Sequence, residues 1–126
     1  MKVEIWSDIM CPFCYIGKRR FEAALEQFPG KDNITVEWKS FQLNPALKSQ
    51  PGKDIYDYVA EMKGQSREWS LAIHDQMAGT AKEAGLTYNF EKAVLANSFD
   101  AHRLIQLAKK HQLGYVAEEA LFHAYF

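Results

Sequence analysis

Two short runs of alternating residues flank one helix-length stretch, and this arrangement limits the fold more than any other feature of the chain. Residues 2–7, KVEIWS, put Val3 and Ile5 on one face. Residues 34–41, ITVEWKSF, alternate Ile34, Val36 and Trp38 against Thr35, Glu37 and Lys39. Between the runs, Cys14, Phe21, Leu25 and Phe28 form a helical stripe that Pro29-Gly30 ends. Strand, crossover helix and strand make a βαβ unit, so the two strands are expected to be parallel.

Beyond Pro45 the pattern becomes helical. Pro45 and Pro51-Gly52 mark a loop. Asp54 is placed to cap a helix running to about Met62, with Gly64 ending it, and Ser66 to cap a second that closes at Gly85. Residues 90–96 read as a short helix. Ser98 is expected to cap a long helix with Lys109, Lys110 and His111 in its last turn, and a final helix starts near Tyr115. The chain thus divides into a βαβ part over 1–53 and a helical part over 54–126 that is still amphipathic at Phe126. Two strands alone do not make a stable covered sheet. The expectation is the first part of a larger α/β domain, or a protomer that borrows a partner's surface. Open strand edges and the stripe Val116, Ala120, Leu121, Phe122, Tyr125 and Phe126 favour association, so a homodimer or poor solubility is expected.

Composition narrows the partners. Apolar residues make up 48% of 126, a globular and not a disordered value. A net charge of −1 argues against nucleic acid or a membrane surface as an electrostatic partner. No apolar run approaches the roughly 18 residues of a membrane span. The N-terminus lacks the basic start and apolar run of a secretory signal, so a cytoplasmic location is expected.

The only cysteines, Cys11 and Cys14, fall in WSDIMCPFCYIG, between the first strand and its helix. A zinc site needs two further ligands, and His74, His102, His111 and His123 are not in paired ligand spacing; no metal is expected. A three-residue loop is too short for a useful staple. Two unrelated buried thiols remain the plain alternative. The strand–turn–Cys-x-x-Cys–helix context favours redox chemistry instead. Cys11 would sit at the helix start, where unsatisfied N–H groups and the dipole favour a thiolate, which makes it the nucleophile. Cys14, one turn on, would be the resolving thiol. Pro12 stiffens the turn, and Phe13 offers no hydrogen bond to the thiolate. Asp8, close to Cys11, is placed either to relay a proton or to cap the turn.

Three stretches, SDIMCPFCYIGKRRFEAAL at 7–25, VEWKSFQLNP at 36–45 and LANSFDAHRLIQLA at 95–108, carry a wider likeness. On them the chain resembles the DsbA-like thioredoxin-fold superfamily, and within it the FrnE-like, or polyketide-biosynthesis-type, thiol–disulfide oxidoreductases. The resemblance implies an α/β fold in which a large helical region is inserted into a thioredoxin fold. It makes Cys11 and Cys14 the active pair and places Asn97, Ser98, His102 and Arg103 in the family's helical segment. It implies an enzyme, a protein disulfide oxidoreductase or isomerase acting on protein or small-molecule thiols and disulfides. No bound cofactor is implied, with glutathione as a candidate redox partner. Thioredoxin-like enzymes also carry a cis-proline loop and further strands; this sequence has only Pro12, Pro29, Pro45 and Pro51, so residues 1–126 are expected to lack that C-terminal part of the fold.

Phe41, Leu43, Asn44 and Pro45 follow the second strand, where α/β proteins tend to bind ligands, and with Asn97, Ser98 and His102 they are candidates for a substrate groove. Lys18, Arg19 and Arg20 read as a solvated helix face. Two other functions fit parts of the pattern. A glutathione-dependent isomerase or transferase of the 2-hydroxychromene-2-carboxylate isomerase or kappa type shares the inserted fold but typically has serine in place of the first cysteine. A non-catalytic binding module would suit a shortened chain.

Overall fold

The computed structural model describes residues 1–126. Strand β1 (Lys2–Ser7) pairs in parallel with β2 (Thr35–Ser40), from Lys2 opposite Thr35 to Ser7 opposite Ser40. Helix α1 (Pro12–Gln27) makes the crossover, followed by a 3₁₀ turn at Lys31–Asn33. Helices α2 (Ile55–Lys63), α3 (Arg67–Glu83), α4 (Phe99–Lys110) and α5 (Gly114–Tyr125) make up the rest. This is the α/β layout the alternating runs dictate, with a two-stranded sheet.

Most boundaries have the expected chemistry. Asp54 accepts from the N–H groups of Tyr56 and Asp57, and Ser66 from that of Trp69. Gly64 ends α2 at φ +62°, a left-handed conformation that favours glycine. Two expectations fail. Ser98 occupies the residue before α4 without capping it; Asn97 Oδ1 accepts from the Phe99 N–H at 2.8 Å instead. Residues 90–96 are not a helix. A 3₁₀ turn, Phe90–Lys92, gives way to extended backbone, because Leu95 is drawn wholly into the interior and its carbonyl accepts from the Gln50 N–H at 2.8 Å.

One cluster of ten buried apolar residues takes members from both sides of residue 53: Ile9, Tyr15 and Ile16 meet Ala81, Leu86, Tyr88, Phe90, Ile105, Phe122 and Phe126. Aromatic rings dominate it. Tyr15 stacks on Phe122 at 4.6 Å between centroids and Tyr88 on Phe126 at 4.5 Å. The buried face of α1 is therefore Tyr15, Ile16 and Lys18, while Phe28 is exposed. Part of the α5 stripe expected to drive association is used here: Phe122 and Phe126 are buried, and Val116 stays exposed.

Lys18 overturns the solvated-face expectation. Its side chain is fully buried, with the ammonium paired to Glu22 and to Glu119 Oε2 (3.1 Å) and 3.9 Å from the Tyr115 ring centroid. Carboxylates from two helices and an aromatic face replace its water.

Candidate active site

The site starts where β1 ends. Ser7, Asp8 and Ile9 are all buried, which fixes the chain as it leaves the sheet. The Cys11 N–H donates to the Asp8 carbonyl at 3.1 Å and closes a turn. Cys11 has extended backbone (φ −92°, ψ 112°) and occupies the cap position of α1, with Pro12 opening the helix. Proline suits that place because its φ is already helical and its missing N–H had no partner to lose. The Cys14 N–H donates to the Cys11 carbonyl at 3.1 Å, which draws the two cysteines onto one turn.

Both thiols are free and half-buried. The two sulfurs lie close enough for their ionisations to be linked, so a thiolate on one is stabilised by the thiol of the other and opposes a second charge. Burial disfavours charge on both, and the Asp8 main-chain N–H favours it on Cys14. The helix amides of Phe13 and Cys14 face Cys11 and favour charge there, as the helix-start argument requires.

Asp8 combines the two roles open to it. Its carbonyl closes the turn, and its carboxylate, 1% exposed, accepts from the Leu43 N–H at 2.8 Å and pairs with His102 Nε2 at 3.1 Å. Burial raises the Asp8 carboxyl, yet hydrogen bonds from His102, Leu43 and Ser98 win and hold it below the usual carboxylate range.

The groove candidates separate. Leu43 and Asn44 line a mostly apolar cavity of about 380 Å³ together with Cys11, Pro12 and Phe13. Cys14 does not line it and packs against the core. Phe41, Pro45 and His102 border a different cavity of about 670 Å³ between β2 and α4. Asn97 is a tie between segments: its Nδ2 donates to the carbonyls of Pro45 (3.2 Å) and Leu47 (2.7 Å), and its Oδ1 accepts from Gln42 Nε2 at 2.9 Å. Ser98 lies beside Gln42 and Asp8. The apolar wall facing Cys11 comes from residues that no motif marks, including Ile55, Val59, Met62 and Met77. Ile55, Val59 and Met62 recur at helical spacing on α2, and that spacing says nothing about what they face.

The DSBA-like thioredoxin domain model matches residues 2–126. The chain belongs to the DSBA-like thioredoxin domain family. A curated relative of this domain, uncharacterized protein YwbO of Bacillus subtilis (strain 168), is 30% identical over 125 residues, covering 98% of this chain and 56% of its own. The crystal structure of a probable DsbA oxidoreductase, SCO1869 from Streptomyces coelicolor, superposes with a TM-score of 0.92 at 37% identity, covering all of this chain and 54% of that one. This DSBA-like domain thus spans about half the length of the proteins it matches, and its two-stranded sheet is a partial thioredoxin fold. No helix in it is long and apolar enough to cross a membrane.

Proposed function

We propose that the chain carries the redox centre of a thiol–disulfide oxidoreductase of FrnE-like type, exchanging disulfides with protein or small-molecule thiols through Cys11 and Cys14. The observation that carries this reading is the placement of the pair: two free thiols on the first turn of α1, with Cys11 open to an apolar cavity and Cys14 against the core. Cys11 is the sulfur a substrate disulfide reaches first. Its electron pair forms the mixed disulfide, and one substrate sulfur leaves as a thiolate. Cys14 then attacks Cys11, closing the Cys11–Cys14 disulfide and releasing the second substrate thiol. The cost of ionising Cys11 falls when its proton is shared with Cys14, whose sulfur lies beside it.

Equilibration in glutathione buffers followed by alkylation tests the proposal. A two-electron transition shared by both cysteines is expected. Cys14→Ser should accumulate a mixed disulfide that Cys11→Ser does not form. A pair that stays reduced throughout the buffer range overturns the reading.

A further inference from the structure

Two openings lie on either side of residues 41–45. Leu43 and Asn44 line the cavity that holds Cys11, whereas Phe41, Gln42 and Pro45 line the groove of about 670 Å³ between β2 and α4. No sulfur borders the groove, so disulfide exchange at Cys11 gives it no role. Its far wall is one face of α4: Phe99, His102, Arg103, Gln106, Leu107 and Lys110. That is the i, i+3, i+4 spacing of a single helical stripe, and at the usual rise it runs for roughly 16 Å.

Polar ties hold the two walls in place. Gln106 Nε2 donates to Ser40 Oγ at 2.7 Å, and Lys109 Nζ to the Trp38 carbonyl at 2.8 Å, which fixes α4 along β2. His102, the one buried residue of the lining, is held by Asp8. The opposite loop is held by Asn97, which bonds Gln42 Nε2 and the Pro45 carbonyl. With both walls tied, the apolar side chains between them do not close on one another. Phe41, Phe99 and Leu107 stay 48%, 58% and 54% exposed. A groove formed in advance loses little binding free energy to reorganisation when it is filled.

The charge in the groove has one sign. Arg103 and Lys110 line it and no carboxylate does, although the chain as a whole has a net charge of −1. Lys110 makes no ion pair. Arg103 pairs only with Asp100, and both of those side chains are exposed, so the pair holds the guanidinium weakly.

We propose that this groove is a second binding site, for a small amphipathic carboxylate. Its acid group lies against Arg103 and Lys110, and its apolar body against Phe41, Phe99 and Leu107. The volume falls within the range of about 300–1,000 Å³ usual for small-molecule sites. Binding there needs neither cysteine and is independent of their redox state.

The test titrates the ¹⁵N-labelled chain with 4-phenylbutyrate and follows amide shifts, with the neutral 4-phenylbutyramide as control. The acid should shift amides along α4 and at residues 40–42, and should bind about tenfold more tightly than the amide, a factor that two exposed ion pairs together supply. The double variant Arg103→Gln, Lys110→Gln changes only exposed helix positions. It should bring the acid down to the affinity of the amide and leave amide binding unchanged. Alkylating Cys11 with iodoacetamide should leave the acid's affinity unchanged within about twofold. Shifts centred on residues 11–13 and α2 would place the acid beside the cysteines and overturn the site. So would equal affinities of acid and amide in the unmodified chain, or an absence of shifts up to about 10 mM acid.

Discussion

The Tyr88 hydroxyl donates a 2.6 Å hydrogen bond to the carbonyl of Pro12, inside the Cys11–Cys14 turn. Tyr88 is buried among Tyr15, Phe90 and Phe126, so the aromatic core holds the redox turn by a polar contact as well as by packing. Tyr88→Phe keeps the ring and removes the bond. The expected loss is about 1 kcal/mol in denaturant unfolding, with faster alkylation of Cys11 as the turn loosens. Unchanged alkylation would mean that packing alone sets the turn.

Glu118 makes a prediction about pH. Its carboxyl is raised by burial to about 7 in the fold, against 4.5 for the ordinary group. Between those values the folded state holds a proton that the unfolded state has lost, so stability falls as pH rises through this window. A shift of that size corresponds to roughly 3 kcal/mol by pH 8. Glu118→Gln cannot ionise. Its stability should be flatter from pH 5 to 8 and should exceed the unmodified chain's at the alkaline end, as measured by urea unfolding at each pH. Parallel profiles would count against a buried, titrating Glu118.

Lys18 and Asn97 show where sequence reasoning stops. The parallel pairing of the βαβ unit and most helix ends follow from local patterns along the chain, and the Cys11–Cys14 pair follows from one motif at one helix start. Lys18 looks like a surface lysine because its ammonium is satisfied in part by Glu119, far along the chain on α5, and by the Tyr115 ring. Ser98 looked like the cap because Ser precedes the helix, whereas Asn97 supplies the cap and also ties two loop carbonyls some fifty residues upstream. The wall facing Cys11 was illegible for the same reason: helical spacing identifies an apolar face without identifying what it covers.

Asn97 then gives a discriminating pair of substitutions. Asn97→Ala removes two donated and two accepted bonds and should cost about 2 kcal/mol or more. Asn97→Asp keeps the acceptor facing the Phe99 N–H but turns the Nδ2 position into an acceptor against the carbonyls of Pro45 and Leu47. It should therefore be as damaging as alanine, or more so, in thermal unfolding. A well-tolerated aspartate would show that the Phe99 cap is the dominant contribution.

Lys18 gives a second pair. Lys18→Ala leaves a cavity under Tyr115 and removes the cation between Glu22 and Glu119, and should cost on the order of 3 kcal/mol. Lys18→Met retains the stem volume, and Arg19 still pairs with both carboxylates. It should cost much less, because the methionine no longer needs its charge desolvated. Equal losses in chemical unfolding would mean that the ion pair, and not the packing, holds α1 to α5.

Phe13 is the position at which the redox poise should be most adjustable. It lies between the two cysteines, is 60% exposed and has no polar atom to offer either sulfur. Phe13→His can keep the same surface placement while adding a donor and, when protonated, a positive charge beside the pair. Both changes favour the thiolate, and stabilising the reduced pair raises its reduction potential, so the variant should be the more oxidising form. The effect should be about one pKa unit in the first ionisation of the pair, a tenfold gain in thiolate at a given pH below it. It should shrink as pH rises and the imidazole loses its charge, leaving only the hydrogen bond. Phe13→Tyr is the control, since it has a comparable ring and no charge near neutral pH. Thiolate absorbance across pH, together with the glutathione equilibrium constant of each variant, checks the argument. A histidine variant indistinguishable from the tyrosine one would show that the ring at position 13 points away from both sulfurs and that the poise is set from the Asp8 side.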